Sequence, residues 1–414
     1  MNKKIEVEKK YFCENTNRLI ELIKLNGLKI CDKQMETDEY FTDVNSEFIK
    51  NRTCLRLRKK DKKLELTFKG KSKKLTNTYA KIEEDINLDI KDYDRMASIL
   101  NSLGYYSYVI ARKNRTTYTK KCDDYDLNIM IDFIEEIGTF VEFELLCFKS
   151  TYNEQTLLKK LEEFIELFKE LKLEEAKLPY RDFVAKKLYD KVKPSKPLKA
   201  ILTDFDGTLV NTEKYFFESF KSVLEKDYGV QITYEEYKKY ELDENERLIE
   251  YLKEEGKLTK KYSKEDIMNA IYKKYEEKLQ DTSINIEEML NFKLLALLKK
   301  KNIKIGIVST SKRKYINIML DKLKLSNIFD VIISREDTAL LKPDPSAYKK
   351  AMKILKINPS ECLIVEDSKR GIEAAKSASV KVAQVTNFTE NKESYTEQKI
   401  DKTSRLLFVL INSI

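Results

Sequence analysis

Hydrophobic and charged residues alternate in short segments throughout the first half of the chain. Residues 5–10 have the sequence IEVEKK, in which Ile5 and Val7 are separated by charged residues, and residues 54–58 have the sequence CLRLR. Alternation with a period of two indicates β-strands, because successive side chains point to opposite faces of a sheet. The same pattern predicts further strands at 64–69, 81–86, 112–115, 131–133 and 141–145.

These predicted strands have one apolar face and one charged face. A plain sandwich would expose the charges to water, whereas a closed β-barrel covered by helices would line a central cavity with them. Helices that would cover the outer surface are predicted at Asn17–Leu25, Tyr93–Leu103 and Glu154–Leu171. We therefore expect a barrel with an apolar outside and a charged inside.

The second half of the chain changes to short apolar strands that end in polar residues. Strands are predicted at Ile201–Leu202, Ile303–Val308 and Leu363–Val365. A long block with apolar residues at helical spacing separates the first two strands, which predicts an inserted helical cap at about 214–290. Polar residues at successive strand ends are typical of parallel α/β sheets, where chemistry gathers at the carboxyl edge.

The segment Leu188–Pro197 is rich in lysine and proline and lacks apolar periodicity. Such a composition is typical of a connection between domains. We predict domains at 1–190 and 198–414 joined by a linker at 191–197. A length of 414 residues is sufficient for two domains with sizeable cores.

Composition narrows the chemistry that these domains can perform. The chain has no histidine, which excludes histidine triads, histidine metal sites and histidine bases. Its 79 basic and 70 acidic residues are interleaved, so we expect an ordinary solvated surface and no nucleic-acid partner. The six cysteines show no metal-binding spacing, and there is no signal peptide or membrane-length apolar run. We therefore expect a cytoplasmic protein that does not bind membranes.

The charged faces of the predicted barrel contain both cations and acids, as metal-assisted attack on a triphosphate requires. Arginine and lysine grip phosphates, and carboxylates hold hard cations such as Mg²⁺ or Mn²⁺. The residues predicted to bind triphosphate are Lys10, Arg56, Arg58, Lys69, Lys113 and Arg115, with Lys81 as a further candidate. The predicted metal ligands are Glu6, Glu8, Asp132, Glu142 and Glu144, with Glu83 and Asp85 as further candidates.

Several motifs occur in the same order as in a known family. They are E-x-E-x-K at Glu6, Glu8 and Lys10, QMETDEYFT at 34–42, LRLR at 55–58, LTFKG at 66–70, KNRTTY at 113–118 and DFIEEIGTFVEFE at 132–144. This series resembles the CYTH domain of the triphosphate tunnel metalloenzymes, which include class IV adenylyl cyclases, thiamine triphosphatases and inorganic triphosphatases. The resemblance covers roughly residues 1–190. It implies an eight-stranded antiparallel β-barrel, or tunnel, in which acids bind metal and bases bind triphosphate. The segment KIEED at 81–85 departs from the family's R-x-E-x-E.

The ends of the predicted strands in the second half present groups suited to phosphoryl transfer. Asp204 would attack phosphorus and form an aspartyl phosphate, and Asp206 would protonate the leaving oxygen and then activate water. Ser309 and Lys342 would hold the phosphoryl group. Asp367, with Glu366 nearby, would complete a Mg²⁺ site with Asp204 and the backbone carbonyl of Asp206.

Four motifs carry these residues in a recognisable order: DFDGTLV at 204–210, VSTS at 308–311, KPDPSAY at 342–348 and IVEDSKRGIEAAKSA at 364–378. They resemble the haloacid dehalogenase (HAD) superfamily, in the branch of phosphoglycolate phosphatase and β-phosphoglucomutase. The resemblance spans 198–414 and implies a Rossmann-like α/β core with a helical cap. The cap segment Glu241–Leu252 lacks the glycine that sugar-phosphate mutases carry there, which favours phosphatase over mutase activity.

The sequence as a whole predicts a bifunctional metal-dependent phosphohydrolase acting on small molecules. The carboxyl-terminal domain would hydrolyse a phosphomonoester, and the amino-terminal domain would hydrolyse a triphosphate. Two alternatives remain open for the amino-terminal domain. In the first, the domain would cyclise ATP to cyclic AMP. In the second, it would bind polyphosphate or a nucleotide without catalysis and regulate the phosphatase.

Overall fold

The computed structural model describes residues 5–70, 83–147, 152–241, 246–324, 326–389 and 393–414. The chain divides into two compact units, whose main bodies are Met1–Asp190 and Lys191–Asn412. The first unit contains an antiparallel sheet and the second a parallel one. Within the described ranges, no helix is both long enough and apolar enough to cross a bilayer.

The described part of the first unit consists of a long-stranded sheet and helices that pack against it. Its strands are β1 Ile5–Phe12, β2 Lys29–Asp43, β3 Cys54–Lys60, β4 Lys63–Lys69, β5 Glu83–Asp89, β6 Tyr105–Lys121, β7 Tyr125–Ile134, β8 Gly138–Cys147 and β9 Glu174–Glu175. Its helices are α1 Thr16–Leu25, α2 Glu47–Lys50, α3 Tyr93–Ser102, α4 Glu154–Ile165 and α5 Tyr180–Val192, with 3₁₀ turns at Ile90–Asp92 and Glu166–Leu171.

The strands pair in the order β5-β4-β3-β2-β6-β7-β8-β1-β9. Each pair is antiparallel, as the resemblance implied. Strands β5 and β9 form the two edges of the sheet among the described residues. The structure therefore confirms an antiparallel sheet of amphipathic strands, and closure into a barrel stays a prediction.

The apolar face of this sheet is buried by the predicted helices. Val7, Phe143 and Leu145 form one core with residues of α1 and α4 such as Leu19 and Leu157. These positions are the hydrophobic half of each alternating segment, so the period of two decides which side chains enter the core. The three predicted helices match α1, α3 and the combination of α4 with its following 3₁₀ turn.

The second unit surrounds a parallel sheet with helices. Its strands are β10 Ala200–Thr203, β11 Lys304–Val308, β12 Val331–Ile333, β13 Cys362–Glu366, β14 Lys381–Val385 and β15 Lys399–Ile400. Its helices are α6 Thr212–Tyr228, α7 Tyr234–Glu241, α8 Glu246–Glu254, α9 Lys264–Asp281, α10 Ile286–Lys300, α11 Arg313–Leu323, α12 Ser346–Leu355, α13 Lys369–Ser377 and α14 Thr403–Ser413, with 3₁₀ turns at Ser326–Ile328, Arg335–Asp337 and Pro359–Glu361.

The strand order β12-β11-β10-β13-β14-β15 places β10 in the middle of the sheet. Thr203, the last residue of β10, is in register with Ile307 of β11 and Val365 of β13. Because the three strands are parallel, the residues that follow them meet at one carboxyl edge. The chain order reverses here, from β11 on one side of β10 to β13 on the other, which is where open α/β sheets bind ligands.

The helices between β10 and β11 form a cap with its own apolar core. Phe220, Leu224, Ile249, Leu252 and Ile267 belong to this core, which is separate from the core of the sheet. Helix α10 packs on β11, so the predicted end of the cap near residue 290 falls inside a helix that contacts the sheet.

The ends of the second unit also differ in detail from the sequence pattern. Helix α5 extends to Val192, into the segment 191–197 predicted as linker. At the other end, residues 406–411 of α14 are buried.

Candidate active sites

One candidate site lies at the carboxyl edge of the parallel sheet and is called the aspartate site, defined by Asp204, Asp206, Lys342, Glu366 and Asp367. Its centre is the buried ammonium group of Lys342. The Nζ atom donates to Asp204 Oδ1 at 2.7 Å, to Glu366 Oε1 at 2.7 Å and to the carbonyl oxygen of Val308 at 2.8 Å. These contacts join the ends of β10, β11 and β13 through one cation.

Glu366, the last residue of β13, is held from both sides. Its Oε1 atom accepts from Lys342, and its Oε2 atom accepts from the backbone N–H and the hydroxyl of Ser368 at 2.8 and 3.0 Å. A Cβ on Gly371 would lie 1.5 Å from Glu366 Oε1, so only glycine leaves room for this side chain. Glu366 therefore positions Lys342 in the described structure.

Asp206 is surrounded by hydroxyl groups from two elements. Its Oδ2 atom accepts hydrogen bonds from Ser309 Oγ at 3.1 Å and Ser311 Oγ at 2.7 Å, and its Oδ1 atom accepts from Thr212 Oγ1. Thr212 is the first residue of α6, and the serines follow β11. These hydrogen bonds hold the carboxyl group of Asp206 close to Asp204. Among the described contacts, Asp206 forms no salt bridge.

Asp367 lies against the turn that follows Asp204. Its Oδ1 atom accepts from Thr208 Oγ1 at 2.8 Å. Gly207 has φ +76°, and a Cβ there would lie 2.3 Å from Asp367 Oδ2. Glycine is required at position 207 for two reasons. Its backbone is in the left-handed region, and the Asp367 carboxylate occupies the space that a side chain would need.

The carboxylates of this site fit a hard divalent cation. One oxygen from each of Asp204, Glu366 and Asp367 lies within 4.8 Å of the others. Three carboxylates this close repel one another unless a proton or cation is shared. Oxygen donors of this type are those that Mg²⁺ prefers.

The electrostatics of the aspartate site reflect this crowding. Burial raises the pKa of Asp204 to about 7, assisted by the charges of Glu366 and Asp206 and opposed by Lys342. Burial and the charges of Glu366 and Asp204 also raise the pKa of Asp367 well above its ordinary value. Burial disfavours the charged form of Lys342, but the neighbouring carboxylates outweigh it and raise its pKa.

The sequence pattern located most of this site. The structure brings together Asp204, Asp206, Ser309, Lys342, Glu366 and Asp367, which were all predicted as site residues. Sequence reasoning did not assign roles to Thr208, Thr212 or Ser311. Thr208 lies within the motif DFDGTLV and Ser311 within VSTS, whereas Thr212 lies two residues beyond DFDGTLV.

A second candidate site lies on the charged face of the antiparallel sheet, defined by Glu6, Glu8, Lys10, Glu36, Asp38, Arg56, Arg58, Lys113, Arg115, Asp132, Glu142 and Glu144. Arg58 Nη2 donates to Asp38 Oδ2 at 2.7 Å, and Arg56 Nη1 lies 3.8 Å from the same oxygen. Lys113 Nζ lies 3.1 Å from Glu36 Oε2. Half of the twelve side chains are buried, Glu36, Asp38, Arg56, Arg58, Lys113 and Asp132, so their charges interact far more strongly than on an open surface.

Arg115 links the next two strands of the charged face. Its Nε atom donates to Asp132 Oδ1 at 2.7 Å, and its Nη2 atom donates to Glu142 Oε2 at 2.5 Å. Burial opposes ionisation of Glu142, but Arg115 and neighbouring lysines outweigh it and lower its pKa to about 2. Asp132 and Glu142, both predicted metal ligands, therefore bind a cationic side chain in this structure.

The first residue of α5 reaches into the charged face. Tyr180 donates its hydroxyl to Asp132 Oδ2 at 2.8 Å, and Lys10 Nζ lies 4.1 Å from the centre of its ring. Burial lowers the pKa of Lys10, and burial together with Arg115 lowers the pKa of Lys113. Burial outweighs the neighbouring acids, although Lys113 Nζ lies within 4 Å of Glu36, Asp38 and Asp132.

An acidic cluster lies at the β1–β8 side of the charged face. One oxygen from each of Glu6, Glu8 and Glu144 lies within 4.8 Å of the others, the spacing of a cation site. Glu8 is opposite Glu144 in the strand register. Asn128 Nδ2 donates to Glu144 Oε1 at 2.7 Å, and burial raises the pKa of Glu144. The predicted acidic set thus divides between this cluster and the partners of Arg115.

The remaining predicted residues of this face are less defined. Lys69 is partly buried on β4, and Asp85 is exposed on β5 opposite Thr67. Lys81 lies outside the described residues, and Glu83 is described for its backbone alone. Sequence reasoning missed Glu36, Asp38 and Tyr180. The alternation of polar residues at 34, 36 and 38 would have revealed the two acids, whereas Tyr180 is distant in sequence and offers no such pattern.

Family models match both units. The model described as CYTH domain matches residues 4–179, and the model described as haloacid dehalogenase-like hydrolase matches residues 201–385. A relative from Caldanaerobacter subterraneus named "Putative pyrophosphatase PpaX" is 34% identical over 187 residues, which cover 44% of this chain and 80% of that protein. The chain joins a CYTH domain to a haloacid dehalogenase-like hydrolase domain.

The CYTH domain is also similar to a curated relative, and the HAD domain is similar to a solved structure. A Methanocaldococcus jannaschii protein named "Putative adenylate cyclase" is 32% identical over 169 residues, covering 41% of this chain and 90% of that protein. A crystal structure of β-phosphoglucomutase from Clostridium difficile is 26% identical, with a TM-score of 0.43, covering 52% of this chain and 96% of that one.

The buried ion pairs of the CYTH domain lead to a stability prediction. Asp38→Asn removes the carboxylate shared by Arg56 and Arg58, leaving buried cations partly unpaired, which costs about 3–5 kcal/mol. We expect the first thermal transition of the full chain to fall by roughly 10 °C in calorimetry. The charges of the arginines and of Lys113 outweigh burial and lower the pKa of Asp38. Its contribution to the free energy of unfolding is therefore fully present above the unfolded pKa of about 4 and is lost as the pH falls below that value.

The matched control for that variant is Glu135→Gln, which removes an exposed acid beside β7. It is expected to leave the transition within about 2 °C of the wild type, since exposed charges contribute little. An equal effect of the two variants, or a difference that persists unchanged below pH 4, would contradict the burial argument.

The turn at Gly207 leads to a second prediction. In Gly207→Ala, the new Cβ would displace Asp367, and we expect phosphomonoester hydrolysis to fall roughly 100-fold with a higher Mg²⁺ requirement. Gly229→Ala is the control, because Gly229 has φ +65° and nothing within 4 Å of the added atom. Both variants carry the backbone strain, so a comparable loss of activity in the control would rule out the steric explanation.

Proposed function

We propose that the chain is a bifunctional metal-dependent phosphohydrolase, with phosphoryl transfer to Asp204 in the HAD domain and triphosphate chemistry in the CYTH domain. The observation that carries the first part is the contact of Asp204 with Lys342 beside Asp367 and Asp206. This arrangement presents a nucleophile, a cation for the phosphoryl oxygens and a separate acid at one edge of the sheet.

The first half of the proposed reaction forms a bond between a carboxylate oxygen of Asp204 and phosphorus. The bond between phosphorus and the leaving oxygen breaks, and Asp206 gives that oxygen a proton. Ser309 and Lys342 lie within the same cluster and would hold the phosphoryl oxygens. The hydrogen bonds from Thr212, Ser309 and Ser311 would hold the carboxyl group of Asp206 in place for this proton transfer.

The second half regenerates the enzyme. Asp206 takes a proton from water as the water oxygen attacks phosphorus, and the bond between phosphorus and Asp204 breaks. Free phosphate leaves, and Asp204 returns to a carboxylate beside Lys342. Both halves therefore use the same two acids in opposite roles, as general acid–base catalysis requires.

Asp204 and Asp367 are the residues that would hold Mg²⁺, with Glu366 behind them. A bound cation supplies charge neutralisation between the attacking carboxylate and the phosphoryl group. In addition, the raised pKa of Asp204 leaves part of its population protonated near neutral pH, and a cation beside it favours the ionised form.

The substrate of the HAD domain is proposed to be a small phosphomonoester or pyrophosphate. Phosphomonoesters follow from the second aspartate of the D-x-D motif, Asp206. Pyrophosphate is supported by the name of the Caldanaerobacter relative. In either case the transferred group and its bond to Asp204 are the same, and the leaving group differs.

The CYTH domain is proposed to bind a triphosphate on the charged face within a closed barrel and to hydrolyse it. Arg56, Arg58 and Lys113 form a buried cationic row, and the acidic cluster of Glu6, Glu8 and Glu144 provides a separate place for Mg²⁺ or Mn²⁺. A polyanion would replace the internal acids as partners of the cations.

A second candidate for the CYTH domain is adenylyl cyclase activity, supported by the name of the Methanocaldococcus relative. Both reactions begin with the same phosphate and metal contacts and differ in the attacking oxygen. Hydrolysis uses water, whereas cyclisation uses a ribose hydroxyl of ATP and releases pyrophosphate. The products therefore distinguish the two, and the geometry of the charged face does not.

Two variants are expected to separate the activities. Asp204→Asn should lower phosphomonoester hydrolysis by roughly 1,000-fold, because the amide is a poor nucleophile, and should leave triphosphate turnover intact. Glu8→Gln should lower triphosphate turnover and leave phosphomonoester hydrolysis intact. Products from tripolyphosphate, thiamine triphosphate and ATP are measured as phosphate, pyrophosphate and cyclic AMP. If Asp204→Asn retained monoester hydrolysis, the assignment of Asp204 as nucleophile would be refuted. If the wild type produced cyclic AMP and Glu8→Gln did not, the CYTH domain would be a cyclase and not a triphosphatase.

Removal of divalent cations provides a further prediction. Chelation by EDTA should abolish both activities, because crowded carboxylates repel phosphate without a cation between them. Added Mg²⁺ should restore them in the wild type, whereas Asp367→Asn should require more Mg²⁺ for phosphomonoester hydrolysis and leave the triphosphate activity unchanged. Full activity in EDTA-treated, metal-free protein would exclude the metal-dependent mechanism.

A further inference from the structure

Helix α14 contacts the turn that follows Asp204 and Asp206. Thr403, the first residue of α14, donates its hydroxyl to the backbone carbonyl of Thr208 at 2.8 Å. Both threonines have no exposure to solvent, so water does not take the place of this hydroxyl. A buried carbonyl that loses its donor keeps the full cost of desolvation. The contact with Thr403 therefore helps to fix the position of Thr208.

Thr208 in turn contacts Asp367, one of the proposed Mg²⁺ ligands. Its Oγ1 atom donates to Asp367 Oδ1 at 2.8 Å. The preceding residue, Gly207, packs against the other oxygen, because a Cβ there would lie 2.3 Å from Asp367 Oδ2. The turn thus touches both oxygens of the carboxylate, and a displacement of the turn would also displace Asp367.

Other hydrogen bonds support the next residue of this segment. The N–H group of Leu209 donates to the carbonyl of Phe205 at 3.0 Å, and the carbonyl of Leu209 accepts from Asn291 Nδ2 at 3.1 Å. Neither contact involves the carbonyl of Thr208. The hydroxyl of Thr403 therefore supports the particular residue whose side chain binds Asp367.

The hydroxyl of Thr403 has a second acceptor within reach. Asn387 Oδ1 lies 3.0 Å from Thr403 Oγ1. Because a hydroxyl carries one proton, the carbonyl of Thr208 and the side chain of Asn387 share it. The helix that carries Thr403 is anchored by the buried residues 406–411, so the hydroxyl is presented from a fixed support.

We propose that Thr403 is a positioning residue that acts through Thr208 to hold Asp367 in place for a divalent cation. The proposal rests on the proposed metal-dependent phosphatase function of the aspartate site. Groups that hydrogen-bond to a metal ligand orient it and raise the affinity for the metal. Helix α14 supplies none of the five residues that define the aspartate site, and the proposal gives it a part in metal binding.

The test separates the hydroxyl of Thr403 from its methyl group. Thr403→Val keeps the shape of the side chain and removes the hydroxyl, whereas Thr403→Ser keeps the hydroxyl and removes a buried methyl group. Binding of Mn²⁺ to the full chain is measured by electron paramagnetic resonance, and the site that disappears in Asp367→Asn is the one in the HAD domain. We expect Thr403→Val to weaken this site roughly tenfold and Thr403→Ser to stay within about twofold of the wild type.

Hydrolysis of p-nitrophenyl phosphate gives a second measurement. In Thr403→Val, the Mg²⁺ concentration for half-maximal rate should rise by the same factor as the Mn²⁺ dissociation constant. At saturating Mg²⁺, kcat should stay within about threefold, because the proposed nucleophile and acid are unchanged. Both variants should lower the temperature of thermal unfolding, so a loss of metal affinity confined to Thr403→Val reports positioning and not stability.

Two further variants serve as controls. Ser404→Ala changes the next residue of α14, which is also buried and whose hydroxyl contacts Glu287 instead of the turn. Asn387→Ala removes the second acceptor of the Thr403 hydroxyl and leaves the proton to Thr208. Both should bind Mn²⁺ within about twofold of the wild type.

Several results would overturn the inference while leaving the phosphatase proposal standing. One is an unchanged Mn²⁺ affinity in Thr403→Val. Another is equal weakening in Thr403→Ser or Ser404→Ala, as expected if α14 only packs against the domain. A third is equal weakening in Asn387→Ala, which would show that the hydroxyl acts through that side chain. If the wild type had no Mn²⁺ site that depends on Asp367, the proposed metal site and this inference would fail together.

Discussion

The buried ammonium group of Lys342 is the interaction on which the HAD domain depends. It joins the ends of the central strands by binding Asp204, Glu366 and a backbone carbonyl. Removing a charged group from water is costly unless its partners are close and well aligned, and here each distance is 2.7 or 2.8 Å. The same contact holds Asp204, the proposed nucleophile, at the edge of the sheet where the strand order reverses.

The CYTH domain meets the same constraint by a different arrangement. Its cations and acids alternate across neighbouring strands, so Arg58 lies opposite Asp38, Lys113 opposite Glu36 and Arg115 opposite Asp132. Asp38 supports two arginines, and Arg115 joins Asp132 to Glu142. These internal acids keep the cations of the charged face paired.

Both domains therefore hold charge in place before substrate binds, which lowers the reorganisation needed for phosphoryl transfer. They differ in how the partner charges are released. In the HAD domain the phosphoryl oxygens would share Lys342 with Asp204 and Glu366. In the CYTH domain the internal acids would yield their cations to the ligand.

The sequence by itself determined the two families, the classes of sheet and nearly all residues of the aspartate site. Those features depend on local patterns, namely a period of two, a helical period and motifs confined to short loops at strand ends. The helices α1 and α3 begin within a residue of the predicted positions for that reason. The acids Glu36 and Asp38 also belonged to an alternating segment, although their role was not recognised.

The tertiary structure decided which charges meet. Asp132 and Glu142 were expected beside a metal with Glu144, yet they bind Arg115, because that arginine lies opposite Asp132 in the strand register. Tyr180 reaches Asp132 from a helix 48 residues away, and Lys238 reaches Glu213 across 25 residues of the cap. Contacts of this range depend on how strands pair and helices pack, and a short stretch of sequence contains no record of them.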